Sequence, residues 1–126
     1  MKISELRIGN WVTDGFGNCV EVTGIISENN TSGYKTETLK PIPLTAELLV
    51  KFGAKIVQSR AIFILDGLHR TMEIVFYGPN IYAELYESPE LSSDELKHFT
   101  IGGIKYLHQL QNLYHALTGE ELPVNL

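Results

Sequence analysis

The sequence predicts an α+β fold, an antiparallel sheet packed by a C-terminal amphipathic helix and one short helix. Three observations predict it. Several runs alternate apolar and polar residues between Gly, Asn and Pro turns, the pattern of half-buried strands. A single stripe of helical period follows residue 103. The chain has 126 residues, the size of one domain with its own core, so residues 1–126 are read as a single domain. The sheet is assembled from an N-terminal hairpin and a three-stranded meander. It is either open or curled like a small SH3-like barrel, with the last helix across it.

Arg7 to Ile26 reads as the hairpin. Trp11-Val12-Thr13 is rich in strand formers. Asp14-Gly15-Phe16-Gly17-Asn18 supplies turn chemistry, since Gly and Asn tolerate positive φ. Cys19 to Thr23 alternates, and Ile25 and Ile26 extend it. Residues 27–38 are polar and without period, which reads as a mobile loop. Pro41 and Pro43 oppose helix in the next segment.

Thr45 is placed to cap a short helix from Ala46 to Phe52, with Glu47 in the first turn. Gly53 suits the left-handed position that ends helices. Three strands follow: Lys55 to Leu65, ending at the hairpin signal Asp66-Gly67; Arg70 to Tyr77, ending at Gly78-Pro79-Asn80; and Ile81 to Glu87. They predict an antiparallel meander with one face on the core. Residues 88–95 are acidic and turn-rich, and the Ser92/Glu95 spacing fits a capping box on a single helical turn. Lys97 to Ile101 is a short last strand. Ile104, Leu107, Leu110, Tyr114 and Leu117 then recur at three or four, the period of an amphipathic helix, and Gly119 and Pro123 end it.

The formal net charge is −5, with ten basic and fifteen acidic residues unevenly spread. Residues 40–70 hold five of the basic groups, whereas residues 71–126 carry Lys97 and Lys105 against eight acids. Such a C-terminal half repels phosphate backbones, which disfavours nucleic acid as a partner. No run approaches the ~20 apolar residues of a membrane span, so no membrane partner is expected. The start, Met-Lys-Ile-Ser-Glu-Leu-Arg, lacks the apolar run of a secretory signal, and the single cysteine, Cys19, allows no internal disulfide. Both point to a cytoplasmic chain.

Chemistry-bearing residues are few. His108 and His115 are seven apart, about 10.5 Å along a helix, too far to share a zinc ion that needs nitrogens about 2 Å away. Nothing in the spacing of His69, His98 or Cys19 builds a site, so no metal and no cofactor is expected. Cys19 lacks the neighbours of a nucleophile and reads as a buried structural thiol. Asp66, Glu73, Glu84 and Glu87 are the meander's carboxylates. Hairpin pairing brings Glu73 near Glu84 if register and facing agree, but alternating acids on a strand usually mark its solvent face. Gly15-Phe16-Gly17-Asn18 has the glycines of a tight turn and none of the remainder of a phosphate loop.

Two features remain. The last helix carries a neutral polar stripe, His108, Gln111, Asn112 and His115. It is either a solvated face or a surface for an unidentified protein partner. Tyr82 and Tyr86 share one strand face; exposed, they stack bases, and covered by a loop or helix they are core. With no catalytic motif in view, the leading reading is a non-enzymatic interaction module. A nucleic-acid-binding module and a small enzyme with an unrecognised site are the alternatives.

Three stretches also carry a resemblance. Leu6-Arg7-Ile8-Gly9-Asn10-Trp11-Val12 resembles the L-R-x-G-N-x-V opening of short uncharacterised proteins from Bacteroides-type bacteria, their phages and mobile elements. Tyr106 through Leu122 is similar to their ending, and Pro43 through Gly53 to their middle. The resemblance implies an accessory protein of phage or mobile-element origin. It implies no activity and no catalytic residue.

Overall fold

The computed structural model describes residues 2–24, 26–65, 69–87 and 97–126. The fold is α+β, and contacts divide it into two compact units. One comprises Met1–Leu44, Tyr106–Leu122 and Leu126; the other comprises Thr45–Lys105 and Pro123–Asn125.

In the first unit, β1 (Trp11–Thr13) and β2 (Cys19–Glu21) form the expected hairpin, with Val12 opposite Val20. Cys19, expected to be buried, is exposed, because Val20 takes the inward face of the strand and its neighbours point outward. The Asp14 carboxylate accepts from Phe16 N, Asn18 N and Asn18 Nδ2 at 2.7–3.0 Å, which fixes the turn. Hydrogen bonds from Asn18, with that from Phe16, hold the Asp14 carboxyl below the usual carboxylate range. Val12, Val20, Val22 and Leu39 make a small core, with Leu6 and Ile26 packed on it. The strand stops at Glu21, short of the predicted extension; Ile25 lies outside the described residues.

The polar segment 27–38, expected to be a mobile loop, forms a second hairpin, β3 (Asn30–Thr31) with β4 (Tyr34–Lys35). Ser32 and Gly33 both take positive φ at its turn. Hydroxyls do here what apolar anchors do elsewhere. Thr36 Oγ1 donates to Ser27 O at 2.7 Å and lies 2.7 Å from Thr31 Oγ1, and Thr31 is fully buried.

The long helix α2 (Leu107–Thr118) belongs to this same unit and lies against β1. Tyr106 is its N-cap, and Tyr106 N donates to Gln109 Oε1 at 3.1 Å. Gly119 ends it in the left-handed conformation, φ 75°, as its position predicted. Leu107 and Leu110 are fully buried.

The second unit is a five-stranded antiparallel sheet in sequential order, formed by β5 (Lys55–Val57), β6 (Arg60–Ile64), β7 (Arg70–Tyr77), β8 (Asn80–Glu87) and β9 (Lys97–Gly103). The sheet is open and is no barrel. The N-terminal hairpin is a separate two-stranded sheet and does not extend it. The predicted strand from Lys55 to Leu65 is two strands, because Gln58 adopts φ 56° and turns the chain. Nothing in a glutamine announces that turn. The Asp66-Gly67 turn and the Ser92/Glu95 capping box lie outside the described residues.

The short helix α1 (Ala46–Lys51) lies against β5 and β6. Thr45 Oγ1 caps it by accepting from Leu48 N at 3.2 Å. One face of the sheet carries Ala61, Phe63, Met72, Ile74, Ala83 and Leu85, all buried, and Leu49 and Phe52 of α1 are buried as well. Burying such side chains contributes about 1.5–3 kcal/mol for each large one. That face is the core, and the alternation that predicted it holds on β6, β7 and β8.

Candidate functional site

The opposite face of the five-stranded sheet collects most of the molecule's uncommitted chemistry. Directly opposed residues of antiparallel strands share a face, so the register assigns it. One row runs Val57, Arg60, Val75, Tyr82; the next runs Lys55, Ile62, Glu73, Glu84, Thr100; a third runs Ile64, Thr71, Tyr86, His98. Glu73 and Glu84 are thus direct cross-strand partners, as hairpin pairing allowed.

Like charges placed opposite one another are destabilising unless a cation intervenes. Arg60 is that cation. Its guanidinium donates to Glu84 Oε2 at 2.9 Å and to Glu73 Oε1 at 3.4 Å. Tyr86 Oη donates to Glu84 Oε2 at 3.0 Å, and His98 Nε2 stands 3.4 Å from that same oxygen. The His98 ring lies on Tyr86, with centroids 4.5 Å apart and planes 10° from parallel.

Three groups therefore converge on one carboxylate oxygen. Burial pushes the Glu84 pKa up, but the hydrogen bonds from Arg60 and Tyr86 and the charges of Arg60 and His98 outweigh it. The carboxyl stays below its usual range. The hydrogen bond to Glu84 raises the Arg60 pKa. Burial, then the bond to Glu84 and the two nearby carboxylates, raise that of Tyr86. An ionised carboxylate so engaged is a poor general acid, and Arg60, Tyr86 and His98 all crowd its Oε2. A glycosidase-like pair needs one carboxyl poised to donate a proton; Glu84 is held the other way.

Around this centre the face is apolar and accessible. Ile64 is 63 % exposed and Tyr82 36 %; the His98 side chain is 45 % exposed. Tyr82 is therefore not core, whereas Tyr86 is half-buried under His98.

The stripe on α2 has a different fate. Gln111 and His108 are each 1 % exposed, so the stripe is not an open face. Gln111 Oε1 accepts from Trp11 N and Gln111 Nε2 donates to Gly9 O, both at 2.9 Å. Asn112 Oδ1 accepts from Arg7 Nε at 3.0 Å and from Asn10 Nδ2 at 2.8 Å, while Asn112 Nδ2 donates to Glu5 O at 3.0 Å. Arg7 also forks onto Glu121, whose carboxyl that hydrogen bond holds below its usual range. His115 is half-buried in the last turn of α2. Two of the four residues are sealed in, and a third is spent on fastening the N-terminal segment to the helix.

One sequence signal pointed this way. Leu107–Thr118 contains no Asp, Glu, Lys or Arg. A solvated helix face normally carries them, and long charged side chains are the groups least often buried. A stripe built only of amides and imidazoles suits an internal network better.

Among the described residues no group of three His, Cys, Asp or Glu side chains is placed to hold a metal ion, and no helix is long and apolar enough to cross a membrane. No family model, curated protein or solved structure matches the chain.

Proposed function

We propose that the protein is a non-enzymatic interaction module, and that the open face of its five-stranded sheet takes a protein partner. The observation that carries this reading is the make-up of that face. An ion cluster at its centre, Arg60 with Glu73 and Glu84, is surrounded by accessible Tyr82, His98, Ile64 and Val57. Tyrosine and arginine are the residue types enriched where protein interfaces draw most of their binding energy. A fixed ion cluster costs little further ordering on association. The reading places recognition on the sheet and no longer on His108, Gln111, Asn112 and His115. An accessory role in phage or mobile-element biology is part of the proposal and rests on the resemblance alone.

The alternative is a nucleic-acid platform, with Tyr82 and the His98–Tyr86 pair stacking bases. Two carboxylates in the middle of the face oppose a phosphate backbone, and the net charge of −5 adds to that.

A photo-crosslinking phenylalanine analogue at position 82, introduced in the host cell, tests both. The proposal expects a discrete protein adduct that is lost when His98→Asp is added. It expects none from the same probe at Ala116, an exposed position on α2. Adducts to nucleic acid from position 82, with an affinity that falls steeply with salt, would establish the alternative. Equal adducts from both positions would remove the sheet face from consideration.

A further inference from the structure

Among the described residues His108 is the most deeply buried titratable side chain, and the sheet-face reading leaves it unused. It sits in the first turn of α2, 1 % exposed, and neither ring nitrogen has a hydrogen-bond partner among the described residues. Buried polar atoms are nearly always paired, so two on one ring ask for an explanation. Its ring stacks on Tyr106, with centroids 6.0 Å apart. The Glu5 carboxylate stands off, with Oε2 3.9 Å from Nε2 and beyond hydrogen-bond reach. That oxygen already accepts from Lys2 N at 3.0 Å.

The imidazole thus serves as an apolar plug beneath the N-terminal segment. The same segment is held to α2 by the amides of Gln111 and Asn112 through Glu5 O, Arg7, Gly9, Asn10 and Trp11. The geometry points to an acid-released latch: protonation of His108 forces residues 2–10 off α2, because the closed arrangement keeps water from the new charge and leaves the Glu5 carboxylate beyond hydrogen-bond reach.

Burial lowers the His108 pKa. The Glu5 carboxylate opposes that, the positive α-amino group reinforces it, and the net direction is down. The sign follows. The open latch, with His108 in water and its ordinary pKa of about 6.5, binds the proton better than the closed one. Closure is therefore fully favoured above that value and weakens as pH falls through it, by about tenfold per pH unit until the closed form also protonates. This device is independent of the sheet face, which lies in the other unit.

Hydrogen exchange of the full-length chain between pH 7.5 and 5 tests it. Leu6 N donates to Ile3 O and Gly9 N to Val22 O in the closed form. Their protection factors should fall about tenfold per pH unit below about pH 6.5, while those of Phe63 and Ile74 in the sheet hold. His108→Phe keeps a flat ring on Tyr106 and cannot titrate, so its protection at Leu6 and Gly9 should not change with pH. Should that variant fail to fold, the wild-type His108 ring followed by NMR decides. Titration in step with the exchange and below the ordinary imidazole value supports the latch. Constant protection at Leu6 and Gly9 down to pH 5, an equal loss in His108→Phe, or a His108 that titrates at its ordinary value with the segment still protected would each overturn it.

Discussion

Two polar clusters of similar size solve opposite problems. On α2, Gln111 and Asn112 satisfy backbone and side-chain groups of the N-terminal segment, and Gln111 is sealed from water. On the sheet, Arg60, Glu73, Glu84, Tyr86 and His98 mostly satisfy one another, and Arg60 and His98 remain more than a third exposed. The first cluster is neutral apart from its rim pair, Arg7 with Glu121. The second is built on charge. The difference follows from desolvation. An amide can be buried at modest cost once its hydrogen bonds are made, whereas a buried ion needs far more compensation. Structure is therefore held by amides, and charge stays where water can still reach it.

If the comparison is right, Gln111→Ala has the largest effect. It strands the Trp11 N–H and the Gly9 carbonyl, and buried orphans cost about 1–3 kcal/mol each. A loss of about 2–4 kcal/mol is expected, read as a lowered urea midpoint at constant slope. Asn112→Ala comes next, at about 1–3 kcal/mol, because Arg7 keeps Glu121 as a second partner. A value under about 0.5 kcal/mol for either would return the α2 stripe to the solvated surface.

Glu84→Gln probes the other cluster. Arg60 is 38 % exposed, so solvent screens the pair and about 1 kcal/mol or less is expected. The pH dependence has a definite sign. The folded-state pKa of Glu84 lies below its ordinary value, so the unfolded chain binds the proton better. Its contribution is fully present above the usual carboxylate range and is lost as pH falls through the folded-state value. Acid denaturation profiles of wild type and Glu84→Gln should converge at low pH. Divergence toward low pH would mean that the carboxylate is not stabilised by Arg60 and Tyr86.

Much of this fold was legible in the sequence, and the reasons differ by element. The stripe Leu107, Leu110, Tyr114, Leu117 with Gly119 behind it located α2, since helical period and a left-handed cap are local properties. The alternation on β7 and β8 located the core face and, through register, the Glu73–Glu84 pair. Two things were not local. The side of the molecule that α2 covers depends on partners about a hundred positions away, Gly9, Asn10 and Trp11. The centre of the sheet face depends on Arg60, which no motif singled out. It joins β7 and β8 only because Gln58 turns the chain back, in a conformation that side chains rarely adopt. The Leu6–Val12 and Tyr106–Leu122 stretches, distinctive separately, prove to be two halves of one hydrogen-bonded junction.

The smallest effect on stability should come from Tyr82→Ala. The side chain is 36 % exposed and faces Val75 and Gly103 across its neighbouring strands. Surface substitutions away from caps, cavities and networks stay within about 0.5 kcal/mol; the part of the ring that rests on the sheet raises that to about 1 kcal/mol here. The melting curve of Tyr82→Ala should therefore nearly overlay that of wild type, whereas the curve of Gln111→Ala should be displaced by several degrees. The order of the two is what matters. If Tyr82→Ala destabilised the protein as much as Gln111→Ala, the ring would be part of the core, and the sheet would have no open aromatic face to offer. If it left stability alone and abolished capture of the partner that the position-82 crosslink identifies, the same residue would separate recognition from folding, which no residue of the α2 network can do.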